Sequence, residues 1–133
     1  MSLSVVAMKF DHHTDCQIRV ALLRLEACEN VSALTPVTRA AAYRLAIYRG
    51  LEIYEELNPW VESADPSLCV VGTRGATLDK AWPRVTFNLS PEMLERVARV
   101  AVSRGETRVS ALRHLAALGA PVLIFEARRG VLL

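Results

Sequence analysis

Lysine is almost missing from this chain. Lys9 and Lys80 are the only two, so nearly all positive charge is arginine. Cysteine is also sparse: Cys16, Cys28 and Cys69 are odd in number and fall at no metal-like spacing, which argues against a disulfide framework or a zinc knuckle. His12, His13 and Cys16 would make one corner of a metal site, but no second cluster completes it, so no metal is expected. Six glycines and six prolines are too few for a fibrous or disordered chain. No run reaches the roughly 18 uninterrupted apolar residues of a membrane span. The stretch Met1–Phe10 has one lysine, a short apolar run and no cleavage pattern, so no signal peptide is expected and the location is expected to be cytoplasmic. There is no glycine-rich phosphate loop, no nucleophile elbow and no paired carboxylate in a plausible pocket. His114 has no evident orienting partner and reads as a surface or cap residue. The chain is therefore not expected to be an enzyme, and no cofactor is expected.

What is present is enough apolar residue, 52%, for a real core, and a concealed charge gradient beneath a net charge of +2. Residues 1–57 hold six basic and seven acidic groups, residues 58–82 two and three, and residues 83–133 eight and four. All eight of the last set are arginine, whose planar fork suits phosphates and base edges. A codon bias toward arginine explains the same preference without any nucleic acid.

The pattern is sharpest at Arg84. Val85, Phe87 and Leu89 alternate with Arg84, Thr86 and Asn88, the period of a strand buried on one side. Ser90-Pro91-Glu92 then supplies an N-cap hydroxyl, a first-turn proline and a first-turn acid. Leu94, Val97, Ala98 and Ala101 follow at helical spacing up to Arg104, and Gly105 stops the helix. A second helix is predicted from about Thr107 to Leu118, ended by Gly119-Ala120-Pro121.

This stretch, 84–116, resembles the ribbon-helix-helix (MetJ/Arc-type) family. The alternating strand, Leu89-Ser90-Pro91-Glu92, the Arg104-Gly105 corner and Thr107-Arg108-Val109-Ser110 carry the resemblance. It covers about a quarter of the chain. A lone strand cannot satisfy its backbone groups and must pair with a second strand. The resemblance implies an antiparallel ribbon in the DNA major groove, with Arg84, Thr86 and Asn88 toward base edges and Thr107, Arg108 and Ser110 anchoring a phosphate. Without it, those polar residues read as the wet face of an edge strand.

A diverged copy is read upstream. Ile18, Val20 and Leu22 alternate with Gln17, Arg19 and Ala21, a short first helix follows over about Leu23–Ser32, and Thr35-Pro36-Val37-Thr38-Arg39 opens a strong helix to Leu57. Gln17 and Arg19 would then join the base contacts, and Thr38 and Arg39 the phosphate contacts. The fold class expected is mainly α with a short two-stranded antiparallel ribbon, as a tandem pseudo-dimer or as one unit that homodimerises. The organisation is 1–57 for the first half, 58–82 for a connector (in which Leu68–Val71 would dock as a strand or simply pack), 83–119 for the second half, and 120–133 for an apolar tail whose Val122–Phe125 reads as a buried strand.

Such tandem chains resemble accessory proteins of plasmid-transfer relaxosomes. The function implied is sequence-specific binding of double-stranded DNA, as a transcriptional repressor or a factor in plasmid or phage DNA processing. The alternative is a small phage- or plasmid-encoded interaction module or inhibitor that uses the same fold to bind a host protein complex.

Overall fold

The computed structural model describes residues 4–27, 38–70 and 81–128. In order they form β1 (Ser4–Lys9), α1 (His12–Ala27), α2 (Arg39–Leu57), 3-10 turns at Pro59–Ser63 and Pro66–Leu68, β2 (Arg84–Leu89), α3 (Pro91–Arg104) and α4 (Arg108–Arg128). The protein is mainly helical with a two-stranded antiparallel sheet, and the order strand–helix–helix occurs twice.

Local chemistry explains each boundary. In β2 the predicted alternation holds: Val85, Phe87 and Leu89 are buried, and Arg84, Thr86 and Asn88 are exposed. Ser90 Oγ caps α3 by accepting from the Met93 amide at 3.2 Å, and Gly105 ends it at φ 66°. Asp11 caps α1 through the Thr14 amide at 2.9 Å. Thr38 and Thr107 are matching caps, each accepting from an amide three residues on at 3.1 Å. The second helices thus start where the repeated Thr-Arg pair placed them.

The upstream strand is not at Gln17–Leu22. Those residues lie within α1, and the strand that pairs with β2 is β1, in register from Ser4↔Leu89 to Lys9↔Arg84. Three apolar residues alternating over five positions fit a helix nearly as well as a strand. Here Ile18 and Ala21 are buried at i,i+3 spacing, and the Asp11 cap decides the outcome. The first helix is accordingly His12–Ala27, and Leu34-Thr35-Pro36 lies outside the described residues. Leu68 closes a 3-10 turn, with Val70 beyond it, and Val71 lies outside the described residues.

A second correction concerns Gly119-Ala120-Pro121, which does not end α4. The helix runs on to Arg128, so Val122–Phe125 is helical. An interior proline costs about 3 kcal/mol in an isolated helix. The tertiary setting outweighs it: Pro121 is exposed, while Ala120 and Leu123 are buried. Glu126 in the last turns accepts from Arg49 Nε of α2 at 2.6 Å and from its Nη2 at 3.1 Å. Arg49 also pairs with Glu52 at 2.6 Å and is itself buried.

Gly119 sits inside α4 because α2 and α4 cross there in backbone contact. A Cβ on Gly50 would fall 2.0 Å from the Leu115 carbonyl oxygen, and one on Gly119 1.7 Å from that of Ala46. The crossing is flanked by the buried alanines Ala46, Ala116 and Ala120. Glycine-to-alanine change in a free helix gains about 1 kcal/mol. At Gly119 it should instead destabilise by about 2–4 kcal/mol, because two backbones must separate. Gly105→Ala, where a Cβ meets open space but the left-handed backbone disfavours it, should cost only about 1–2 kcal/mol. Urea unfolding of the two variants checks the order, and a neutral Gly119→Ala would contradict the contact.

Candidate nucleic-acid interface

The exposed face of the ribbon is fixed by register. Across it, Val5 faces Asn88, Ala7 faces Thr86 and Lys9 faces Arg84. Facing residues of an antiparallel pair hold their Cβ atoms about 4.5–5.5 Å apart. The face therefore has a gradient: an exposed valine beside an asparagine at one end, and two cations opposed at the other. Like charges directly opposed destabilise a sheet. Neither Lys9 nor Arg84 has a carboxylate within ion-pair distance among the described residues.

Beneath the ribbon sits an aromatic support. Phe10, Tyr43 and Phe87 have ring centroids 4.4 to 6.5 Å apart. Tyr43 Oη donates to Asp15 Oδ1 at 2.5 Å, and Asp15 also accepts from Arg39 Nη2 at 2.8 Å and Arg19 Nε at 2.7 Å. Burial raises the Asp15 pKa, but the bonds from Tyr43, Arg39 and Arg19 together hold it below the ordinary value. Burial, then the bond to Asp15, pushes the Tyr43 phenol well up, so it stays a donor. At the cationic end, Arg113 of α4 donates through Nε to the Lys9 carbonyl at 2.8 Å, and its guanidinium lies over Trp82, 5.7 Å from the ring centroid. Burial lowers the Arg113 pKa.

The predicted residues divide accordingly. Arg84, Thr86 and Asn88 lie together on the exposed ribbon face. Gln17 and Arg19 do not; they lie on α1, where Arg19 serves Asp15, and the ribbon positions assigned to them belong to Val5, Ala7 and Lys9. Thr38 and Thr107 stand at the helix starts as caps. Arg39 is tied to Asp15, the Arg108 amide donates to the Val70 carbonyl at 2.7 Å, and the Ser110 hydroxyl donates to Glu106. The start of α4 is thus largely engaged within the protein, while Thr38 is exposed.

His114 does have an orienting carboxylate, which the sequence reading missed. Its Nδ1 is 3.0 Å from Glu106, which also accepts from Arg104 Nε and Ser110 Oγ. Burial raises the Glu106 pKa, but the bonds from His114, Ser110 and Arg104 leave it lowered. The carboxylate braces the corner between α3 and α4. The i, i+4, i+8 spacing of Glu106, Ser110 and His114 was the available signal.

Lys9 and Arg113 are the other functional candidates missed. Lys9 was hidden in a terminal stretch too short to declare a strand, and Arg113 looks like any helical arginine. No family model matches the chain, and no curated protein or solved structure is significantly similar to it.

The Asp15 network makes a pH prediction. The folded carboxyl releases its proton at lower pH than an unfolded aspartate, so as pH falls the unfolded chain takes up a proton first. Its stabilisation is complete above the unfolded value of about 4 and is lost as pH falls through the folded value. Urea unfolding at neutral and at acid pH should show Asp15→Asn less stable than the parent at neutral pH, with the gap shrinking below about pH 4. Tyr43→Phe should cost about 1–3 kcal/mol by removing one of the three donors to the buried carboxylate. A gap independent of pH would show that the carboxylate is not held ionised by its partners.

Proposed function

We propose that this protein binds double-stranded DNA sequence-specifically, as a single-chain ribbon-helix-helix pseudo-dimer that lays β1–β2 in the major groove. The observation that carries the reading is the pair Lys9 and Arg84, opposed across the ribbon with Arg84 exposed and Lys9 half-buried, and without a carboxylate partner among the described residues. A polyanion relieves that repulsion. The neighbouring side chains suit base edges: arginine for guanine O6 and N7, asparagine for adenine N6 and N7, and the methyls of Val5 and Ala7 for thymine. Both strands come from one chain with different side chains, so the site read is asymmetric rather than palindromic. Of the two helix starts, that of α2 at Thr38 is the better phosphate anchor, since the first amide of α4 is spoken for. A repressor or an accessory factor in plasmid or phage DNA processing is the role this reading favours.

The test is fluorescence anisotropy on DNA selected from random sequence, against scrambled DNA, over a salt series. Binding should weaken steeply with salt, since each neutralised phosphate contributes about −0.9 to the slope of log K against log salt. Lys9→Ala and Arg84→Ala should each weaken binding about ten-fold, and Asn88→Ala should relax preference at one position at a cost of about 1–3 kcal/mol. Gln17→Ala should change nothing. Equally poor binding to selected and random DNA would overturn the reading.

A further inference from the structure

The segment just after α2 carries apolar side chains that the fold holds in water. Leu57 is 70% exposed, Trp60 62% and Leu68 70%. Looseness does not explain them. The Asn58 amide and side-chain Nδ2 both donate to the Tyr54 carbonyl at 2.9 Å, the Val61 amide to Asn58 at 3.0 Å and the Ala64 amide to Val61 at 3.1 Å. Val61 is buried, and Pro59 and Pro66 restrict the backbone at the start of each 3-10 turn. The frame is pinned while the indole points out. A rigid, exposed tryptophan has little ordering entropy left to lose when something covers it, and tryptophan is among the residues that dominate interface energies.

The segment's own charge has one sign, although Arg96 and Arg99 of α3, paired with Glu55 and Glu95, line a cavity with its Val61 and Glu62. Residues 52–68 contain Glu52, Glu55, Glu56, Glu62 and Asp65 and no basic residue. Arg49 takes Glu52 and Arg96 takes Glu55. Glu56, Glu62 and Asp65 have no cationic partner within ion-pair distance among the described residues. This segment is also remote from the ribbon: Tyr43 touches the ribbon support, and Leu57 lies further along the same helix by about 21 Å at 1.5 Å per residue.

We infer that the segment 56–68, with exposed Leu57, Trp60 and Leu68 and the carboxylates of Glu56, Glu62 and Asp65, is a docking surface for another protein. Its occupant is a basic segment that spaces apolar side chains between lysines or arginines. Nucleic acid is repelled by the carboxylates. A second copy in two-fold contact would set the same carboxylates against themselves. A basic, apolar-anchored peptide satisfies both the exposed indole and the uncompensated charge. The inference is independent of DNA binding.

The probe is a labelled synthetic amphipathic peptide of leucine and lysine, with its leucine–glutamate counterpart as control, titrated against the full chain by fluorescence anisotropy. The basic peptide should bind at least about ten-fold more tightly than the acidic one, and Trp60→Ala should weaken it by about ten-fold or more. The double change Glu56→Lys with Glu62→Lys should do the same, and it keeps the test decisive if Trp60→Ala unfolds. Glu92→Lys, the same substitution made once on α3 and so half the charge change, should leave affinity within about two-fold. Equal binding of the two peptides, or equal losses from Glu92→Lys and from the double change, would overturn the inference. So would a dimer in sedimentation that Trp60→Ala dissociates, since the face would then serve self-association.

Discussion

Two helices cross in this protein with their backbones touching, and the ribbon is supported by the pair of helices that meet there. Gly50 and Gly119 remove the side chains that would keep α2 and α4 apart. The ribbon then rests on both helices. Tyr43 of α2 stacks beneath Phe87 of β2, and Arg113 of α4 reaches the last carbonyl of β1. A shift at the crossing would move Tyr43 and Arg113 relative to each other and pull the two strands unequally. The side chains on the outer face of the ribbon are aimed by a contact on the far side of the core.

The arginines sort by partner rather than by position in sequence. Arg96, Arg99 and Arg104 account for much of the basic excess in the last third of the chain, and all three are engaged by carboxylates at Glu55, Glu95 and Glu106. Arg96 joins α3 to α2, Arg99 pairs within α3, and Arg104 closes the corner that leads to α4. The cations left over at the ribbon are Lys9 and Arg84, with Arg113 beside them, and one of these three comes from the half of the chain with no basic excess. A count of charge by segment therefore does not give the charge left free at the ribbon, since three of the arginines it counts are already paired.

Legibility in the sequence tracked how local the deciding interaction was. β2, α3 and the Thr-Arg starts of α2 and α4 were readable, because alternation, a serine cap with proline behind it and a corner glycine act within a few residues. β1 was not read, since six residues with two buried side chains carry too little pattern to separate a strand from a frayed end. The alternation at Gln17–Leu22 misled because three apolar residues over five positions sit equally well in a helix, here the 16-residue α1. Gly119-Ala120-Pro121 misled for the opposite reason: locally it is a helix stop, and a partner helix remote in sequence overrides it. Half of the candidate ribbon face was therefore placed correctly, as Arg84, Thr86 and Asn88, and the other half was assigned to the wrong segment.

The pairing of residue 4 with residue 89 also sets an order of events when the chain is made. At synthesis rates of about 5–20 residues per second, β1 waits on the order of ten seconds before its partner strand exists. During that interval its amides and carbonyls, and the apolar side of α2 that will meet α4, have nothing native to bind. The first half is therefore an incomplete fold with an open strand edge, and unpaired edges in general favour aggregation. Joining both strands in one chain removes the search for a partner molecule, and exchanges it for a delay built into translation itself.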